Sequence, residues 1–436
     1  MSRYQPYPSY KASGVKWLGE VPEKWKLAKL KHVCRKPIAG GTPKTDDEKY
    51  WCDSGEGVPW VSIADLTANS VIYSTKKDVT QHGIDSKNLS ILPAGTLLYS
   101  IFATLGKVSE AGVPLTTNQA ILGLLPEVNF EKRFLHWVLT GIESYVKFTA
   151  SSNTQDNLNS EKVSNLPIVV PFFEEQTAIA NFLDRETAKI DTLIAKQERM
   201  IELLNEKRTA LISHAVTKGL DPNVTMKDSG VEWLGEVPEH WEIIQSRRLF
   251  KERKDRAIEG DEQLTASQKY GIISQKEFME LEGRRVVQVI TGSEILKRVE
   301  PNDFVISMRS FQGGLEWCGR VGSMSSAYIA LIPIKHVIPR YFTYLFKCQP
   351  YIQALQSTSN LVRDGQALRF ENFSLVSLMI VPENEQIAIA DYLDTQTTKI
   401  DTLIEKARQA IELMKERRTA LITAAVTGKI DVRGIA

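Results

Sequence analysis

Cysteine and histidine are scarce in this chain of 436 residues, which contains 4 and 6 of them. The cysteines at positions 34, 52, 318 and 348 form no Cys-x-x-Cys pair, so neither a disulfide framework nor a zinc knuckle is expected. The histidines have no His-Glu-x-x-His or other ligand spacing. These absences argue against disulfide-stapled folds and predict no metal site.

Long apolar runs are also missing. No segment approaches the roughly 18 residues that a membrane span requires, and residues 1–11 lack the apolar core of a signal peptide. We therefore expect a cytoplasmic protein. Charge of one sign is not in excess, because 54 Lys and Arg face 53 Asp and Glu. A net charge of +1 gives no global signature of nucleic-acid binding, so such a function needs more specific evidence.

Motifs of several enzyme classes are absent as well. The chain has no Walker A pattern and no Asn/Asp-Pro-Pro-aromatic tetrapeptide of the amino-methyltransferases. It contains no Pro-Asp dipeptide, which a metal-dependent nuclease site would place upstream of its other acidic residues. We expect a non-catalytic chain with no cofactor of its own.

What the sequence does contain is a long internal repeat. One segment reads Ser13-Gly-Val-Lys-Trp-Leu-Gly-Glu-Val-Pro-Glu-Lys-Trp25, and it returns as Ser229-Gly-Val-Glu-Trp-Leu-Gly-Glu-Val-Pro-Glu-His-Trp241. A second block, 175–217, returns at 385–427 with about 27 of 43 positions identical. Copies of this length are too long for solenoid repeats, so they indicate a duplicated domain pair.

Each copy of the second block is expected to be one long helix, over about 174–215 and 383–426. Neither segment has Pro or Gly inside it, and both are rich in Leu, Ala, Glu, Lys and Arg. Gly219 and Gly428 follow the two segments, as helix stop signals predict. About 40 residues at 1.5 Å each would make rods roughly 60 Å long.

Apolar residues recur along both predicted helices at steps of three and four, as in a heptad repeat. One such helix alone is equally well explained as a core element of a larger α domain. Two like helices in one chain can bury the seam against each other, which favours an intramolecular coiled coil. The predicted seam residues are Ile190, Leu193, Met200, Leu204, Leu211, Ile400, Leu403, Met414 and Leu421.

The intervening blocks, about 13–170 and 229–381, are expected to be mixed α/β domains built from short strands. Their sequences diverge almost completely, although Ser100 still aligns with Ser307. A duplicated frame that carries different exposed faces is typical of two recognition modules that read different targets.

Several short motifs accompany the repeat in a specific combination. They are the Gly-Val-x-Trp-Leu-Gly-x-Val-Pro-x-x-Trp opening of each half, Gly41-Thr-Pro-Lys44, Tyr50-Trp51, Trp60-Val61, Leu92-Pro-Ala-Gly-Thr96, and the Glu-Gln-x-x-Ile-Ala helix entries at Glu175 and Glu385. Together they resemble the specificity subunits of type I restriction-modification enzymes over nearly the whole chain. The second variable block has Gly260-Asp-Glu-Gln-Leu-Thr265 in place of the Gly-x-Thr-Pro pattern, which indicates a different domain subtype.

The resemblance implies two α/β target recognition domains separated by two long helices that pack antiparallel, in a pseudo-two-fold duplicated chain. We place the recognition domains at 1–170 and 223–381 and the spacer helices at 171–222 and 382–436. The implied function is recognition of an asymmetric bipartite DNA site.

The resemblance also implies partners that carry out the chemistry. These are two methyltransferase subunits that use S-adenosylmethionine and, when restriction is performed, two restriction subunits that use ATP and Mg²⁺. Such partners can supply much of the phosphate neutralisation that this near-neutral chain does not provide.

Exposed polar residues of the variable blocks are the candidates for DNA contact, because Arg, Lys, Asn and Gln contact phosphates and base edges. The predicted DNA-binding residues are Arg35, Lys36, Lys44, Thr45, Asn153, Thr154, Gln155, Asn157, Arg253, Lys254, Lys269, Arg309, Arg363 and Gln366. The repeated tryptophans at 17, 25, 233 and 241 are interpreted as core anchors.

Two other classes of function remain open from the sequence. The first is a non-catalytic protein-interaction scaffold, with two binding domains spaced by a coiled coil and no nucleic acid. The second is a fused restriction and methylation enzyme, which would need catalytic motifs and about twice the length. A gel-shift assay in the presence of a methyltransferase partner separates DNA recognition from the scaffold.

Overall fold

The computed structural model describes residues 4–151, 158–283, 295–358 and 368–434. The chain divides into two compact units. Unit 1 comprises 1–197 and 409–436, and unit 2 comprises 198–408. Each long helix is therefore shared between the two units.

Unit 1 contains short strands, short helices and the start of a long helix. Its strands are β1 (Tyr10–Ala12), β2 (Glu20–Pro22), β3 (Lys26–Lys29), β4 (Ile38–Ala39), β5 (Trp51–Asp53), β6 (Val58–Val61), β7 (Val71–Ile72), β8 (Lys77–Val79), β9 (Leu97–Ser100), β10 (Val108–Ala111), β11 (Thr116–Thr117), β12 (Ile121–Leu124) and β13 (Pro167–Val170). Its helices are α1 (Ile63–Ala68), α2 (Gln81–Lys87), α3 (Lys132–Gly141), α4 (Glu143–Ser151), α5 (Ser160–Ser164) and the first long helix, α6 (Phe173–Lys218).

The central sheet of unit 1 has the strand order β4-β12-β9-β10-β7, and a second sheet has the order β11-β6-β8-β5. Strands β9 and β12 are antiparallel, with Leu97 opposite Leu124 and Ser100 opposite Ile121. All residues of these two strands are buried, because both faces of the central sheet are covered. The mixed α/β class predicted for the first variable block is confirmed.

Unit 2 is built in a similar way. Its strands are β14 (Met226–Asp228), β15 (Glu236–Pro238), β16 (Glu242–Gln245), β17 (Phe250–Glu252), β18 (Leu264–Ser267), β19 (Gly271–Ser274), β20 (Lys297–Val299), β21 (Phe304–Ile306), β22 (Glu316–Trp317), β23 (Gly322–Met324), β24 (Ile329–Pro333) and β25 (Ser377–Ile380). Its helices are α7 (Gln275–Glu282), α8 (Ser310–Gly313), α9 (Pro339–Leu345), α10 (Gln349–Ser357), α11 (Phe370–Leu375) and the second long helix, α12 (Glu383–Val426).

The central sheet of unit 2 has the order β17-β24-β21-β22, and β18-β19 and β20-β23 form separate two-stranded sheets. Ile306 of β21 lies opposite Ile329 of β24. The repeated Trp25 and Trp241 are fully buried, one in the core of each unit, and Trp17 and Trp233 pack against those cores. The interpretation of these tryptophans as core anchors is confirmed.

Buried positions along α6 and α12 recur at steps of four and three residues. Three of the predicted seam residues, however, lie outside this buried stripe. The predicted seam residues that are buried or partly buried are Ile190, Leu204, Leu211, Ile400, Met414 and Leu421. Leu193, Met200 and Leu403 are 50%, 38% and 47% exposed, so their assignment to the seam is wrong. The step after the first isoleucine of each stripe is four residues, which places Ile194 and Ile404 on the buried side instead.

Candidate nucleic-acid interface

The glutamine of the first Glu-Gln-x-x-Ile-Ala motif joins the start of α6 to the start of α3 in unit 1. Gln176 Nε2 donates to the Pro171 carbonyl at 3.0 Å, and Gln176 Oε1 accepts from the Glu131 backbone N–H at 2.9 Å. Glu131 follows β12 in the chain and is bonded to Gln176 of α6. The Leu124 end of β12 is therefore the end nearer the long helix. The opposite end, at Ile121, is here called the outer end of unit 1.

The second copy of the motif does the same in unit 2. Gln386 Nε2 donates to the Val381 carbonyl at 2.7 Å, and Gln386 Oε1 accepts from the Ile338 N–H at 2.8 Å. The chain reaches this joint after leaving β24 at Pro333, so the outer end of unit 2 lies at Ile329. The repeated glutamine is therefore a structural joint, which leaves the two outer ends as the candidate surfaces for recognition.

At the outer end of unit 1, two indoles hold the loop of the Gly-Thr-Pro-Lys motif. Trp60 Nε1 donates to the Gly41 carbonyl and Trp51 Nε1 donates to the Lys44 carbonyl, each at 2.9 Å. The two rings meet edge to face with their centroids 5.0 Å apart. The loop is fixed through its carbonyls, while the side chains of Lys44 and Thr45 stay exposed to solvent.

The same loop is packed against the segment that precedes β12. A Cβ on Gly40 would lie 2.1 Å from the Thr117 carbonyl oxygen, so only glycine fits there. The Thr42 hydroxyl donates to Gln119 Oε1, and the exposed Gln119 side chain keeps its amide group as a donor. Sequence reasoning missed Thr42 and Gln119, for which the glycine pair before Thr-Pro was the available signal.

The outer end of unit 2 carries different side chains. Gln268, at the tip of the β18-β19 hairpin, donates from Nε2 to the Arg309 carbonyl at 3.0 Å. The neighbouring Lys269 is exposed, with its ammonium 4.6 Å from the centre of the Tyr270 ring. The Arg309 side chain is exposed and has no hydrogen-bond partner among the described residues. Two of the predicted DNA-binding residues therefore lie close together here.

Arg253 requires a correction. Its Nε donates to Asp303 Oδ2 at 2.7 Å and its Nη2 to Asp303 Oδ1 at 3.1 Å, in a side-chain pair that is almost fully buried. The hydrogen bonds to Asp303 raise the pKa of the guanidinium further above its ordinary value. Arg253 is thus a structural residue that is not available to DNA, whereas the next residue, Lys254, is exposed.

The structure places two pairs of predicted DNA-binding residues at opposite ends of the central sheet of unit 1. Arg35 and Lys36 are exposed, but the Arg35 backbone N–H donates to the Leu125 carbonyl at 2.9 Å, which places them at the helix end of the sheet. Lys44 and Thr45 follow β4 at its other end. The six remaining predicted residues lie outside the described residues; they are Asn153, Thr154, Gln155, Asn157, Arg363 and Gln366.

Cys34 and Cys348 are buried, one in each unit. Burial raises the pKa of the Cys34 and Cys348 thiols to about 12, which keeps both protonated at neutral pH. In the described part of the chain, no three His, Cys, Asp or Glu side chains are grouped so as to hold a metal ion. Nor does any helix there combine the length and the apolar character needed to cross a membrane.

Comparison with known proteins also finds two copies in the chain. Residues 22–203 and 238–413 match the family model described as the type I restriction modification DNA specificity domain. The type I restriction enzyme MjaIX specificity subunit of Methanocaldococcus jannaschii is 29% identical over 242 residues, which span 54% of this chain and about half (53%) of that relative.

Two further proteins align over nearly the full length. The putative type I restriction enzyme MjaX specificity subunit of the same organism is 26% identical and covers 95% of this chain and 96% of its own. The crystal structure of the HsdS subunit from Thermoanaerobacter tengcongensis aligns with a TM-score of 0.53 at 15% identity, over 94% of this chain and 98% of that one. Since the family model matches most of the chain in two successive copies, the chain belongs to the family of type I restriction-modification specificity subunits.

Proposed function

We propose that this chain is the DNA-specificity subunit of a type I restriction-modification complex and that it recognises an asymmetric bipartite site. The observation that carries the proposal is the contrast between the repeated joints and the divergent outer ends. Gln176 and Gln386 attach their domains in the same way, while Lys44 in unit 1 and Lys269 in unit 2 belong to unrelated loops. Two different outer ends on one repeated frame are suited to two different half-sites.

The two long helices act as an antiparallel coiled-coil spacer in a pseudo-two-fold arrangement. Within unit 1, Arg418 Nε donates to Asp191 Oδ1 at 2.8 Å, and within unit 2, Arg208 Nε lies 3.5 Å from Asp401 Oδ1. Asp191 is equivalent to Asp401 in the repeat, and Arg208 is equivalent to Arg418. The two ion pairs therefore exchange roles, which supports a two-fold relation between the halves.

The chemistry belongs to partner chains. Two methyltransferase subunits with S-adenosylmethionine and two restriction subunits with ATP and Mg²⁺ assemble on this subunit. Exposed leucines at repeated positions of the long helices support a docking role; Leu193 is equivalent to Leu403, and Leu203 to Leu413. The near-neutral charge of the chain is consistent with partners that supply much of the phosphate contact.

A domain exchange tests the proposed function. Residues 229–381 are replaced by the corresponding block of another specificity subunit, and the methylated sites are sequenced in cells that contain the methyltransferase partner. We expect one half-site to change while the other half-site and the number of bases between them stay the same. A continuous recognition sequence, or a change in both half-sites, would refute the model.

A further inference from the structure

One loop of each unit follows an equivalent strand of the central sheet, β9 in unit 1 and β21 in unit 2. The two loops differ in sequence. Each begins at the serine that aligns between the variable blocks, Ser100 at the end of β9 and Ser307 directly after β21. Because Ser100 lies opposite Ile121, and Ile306 opposite Ile329, each loop lies at the outer end of its unit.

In unit 1 the serine hydroxyl organises the loop. Ser100 Oγ accepts from the Lys107 backbone N–H at 2.9 Å and donates to the Thr104 carbonyl. Within this brace Ala103 adopts a φ of 62°, a left-handed conformation that costs energy for a residue with a Cβ. The loop turns the Phe102 side chain outward, so that this large apolar group is 37% exposed.

In unit 2 the aligned serine also hydrogen-bonds the backbone of its loop, but through different partners. Ser307 Oγ accepts from the Arg309 backbone N–H at 3.3 Å, and the Ser307 N–H donates to Ser310 Oγ at 2.9 Å. The Arg309 carbonyl is occupied by Gln268 Nε2 and by the Gln312 N–H. The backbone of Arg309 is thus fixed from several directions, while its guanidinium meets no described acceptor.

Phe102 and Arg309 hold the same position, two residues after the aligned serine, and both face solvent. A surface residue with no binding partner does not require a braced backbone, whereas a side chain that must meet one base pair in a defined geometry does. An arginine can make a bidentate contact with O6 and N7 of guanine, and a phenylalanine can contact the methyl group of thymine.

We infer that Phe102 and Arg309 are matched specificity-determining residues, each reading one base pair of the half-site bound by its own unit, with Ser100 and Ser307 as their positioning residues. The inference rests on the proposed function. It specifies that Arg309 reads a G·C pair through the base edge and that Phe102 reads an A·T pair through the thymine methyl group.

The test uses the full chain assembled with its methyltransferase subunits and a set of duplexes in which each base pair of both half-sites is varied singly. Arg309→Ala is expected to lower methylation of the cognate duplex by about tenfold to hundredfold and to relax discrimination at one base pair of one half-site. Arg309→Lys keeps the positive charge but loses the planar fork, so it is expected to restore little. Phe102→Ala is expected to relax a single base pair of the other half-site by several-fold.

Lys335→Ala is the matched control, because Lys335 is an exposed cation beyond Pro333, at the helix end of β24, the strand that pairs with β21. It should leave both half-sites unchanged. If Arg309→Ala lowers methylation of all duplexes equally and Arg309→Lys restores it, Arg309 contacts phosphate and the inference is wrong. An unchanged base preference in both alanine variants also overturns it, while the proposed function stands as long as the wild-type complex reads a bipartite site. If that complex shows no sequence preference, the proposed function itself fails.

Discussion

In unit 1, Asp184 of the first long helix accepts a hydrogen bond from the Trp137 indole at 2.8 Å. In unit 2, the equivalent Asp394 accepts one from the Tyr344 hydroxyl at 2.6 Å. The aromatic donor has changed between the copies, but the acceptor and its position on the long helix have not. At this contact with the long helix the aromatic residue differs between the copies, but the hydrogen bond to the aspartate is kept.

The outer ends share less: apart from the aligned Ser100 and Ser307, their loops are held by different side chains. Unit 1 uses Trp51 and Trp60 to hold a loop between strands, whereas unit 2 uses Gln268 on a hairpin for which unit 1 has no counterpart in sequence. Contacts with the long helices keep the same hydrogen-bonding chemistry in both copies, while the exposed side chains at the outer ends differ.

The largest expected effect is on the free energy of unfolding, when a charge is placed on the buried side of a long helix and not on its exposed side. Ile404 is 6% exposed and its neighbour Leu403 is 47% exposed. Ile404→Asp buries an unpaired carboxylate and should lower the free energy of unfolding by about 4 kcal/mol, whereas Leu403→Asp should cost less than about 1 kcal/mol. Urea denaturation of the two variants measures the difference. Equal losses would show that the buried stripe has been assigned in the wrong phase.

The loss of stability on removing each joint glutamine should increase with the number of hydrogen bonds that its side chain makes. Gln386→Leu leaves the Val381 and His336 carbonyls and the Ile338 N–H without their partner, and should destabilise by about 3 kcal/mol. Gln176→Leu removes two such bonds and should cost about 2 kcal/mol. Thermal melts of both variants provide the comparison. A larger loss in Gln176→Leu would contradict the ranking.

A smaller effect is expected where one indole holds the outer loop of unit 1. Trp60→Phe keeps an aromatic side chain but removes the indole N–H that donates to the Gly41 carbonyl, and losing that hydrogen bond costs about 1 kcal/mol. We expect discrimination within the half-site of unit 1 to weaken and that of unit 2 to stay unchanged, as measured by competition binding with half-site variants. Weakening at both half-sites would mean that Trp60 acts on the stability of the whole chain.

The sequence predicted the frame far better than the interface. The long helices and the core tryptophans followed from repetition and residue type, because a run without Pro or Gly and a repeated Trp each have few alternatives. The phase of the helix stripe could not be predicted, since steps from Ile190 to Leu193 and to Ile194 both fit a heptad. Arg253 was misassigned because a buried partner 50 residues away in the chain leaves no local signal.

The smallest expected effect is the pH dependence of the stability that Asp394 of the second long helix contributes. Burial opposes ionisation of Asp394, but the hydrogen bonds from Tyr344 and Arg340 outweigh it and hold the pKa of this carboxyl below its usual value. A carboxyl with a lowered folded-state pKa stabilises the protein above its unfolded pKa of about 3.9, and that contribution is lost as the pH falls through the lowered value. The side chain is 46% exposed, so solvent screening limits the contribution to less than about 1 kcal/mol.

Asp394→Asn should therefore be less stable than the wild type at pH 7, and the difference should shrink as the pH falls below about 4. Tyr344→Phe removes one of the two groups that lower the pKa and should give a similar but weaker dependence on pH. Denaturant unfolding of the three proteins between pH 3 and pH 7, in steps of about half a unit, measures both trends. A stability difference that stays constant over this range would show that Asp394 stabilises unit 2 by its shape and neutral hydrogen bonding, without any contribution from its charge.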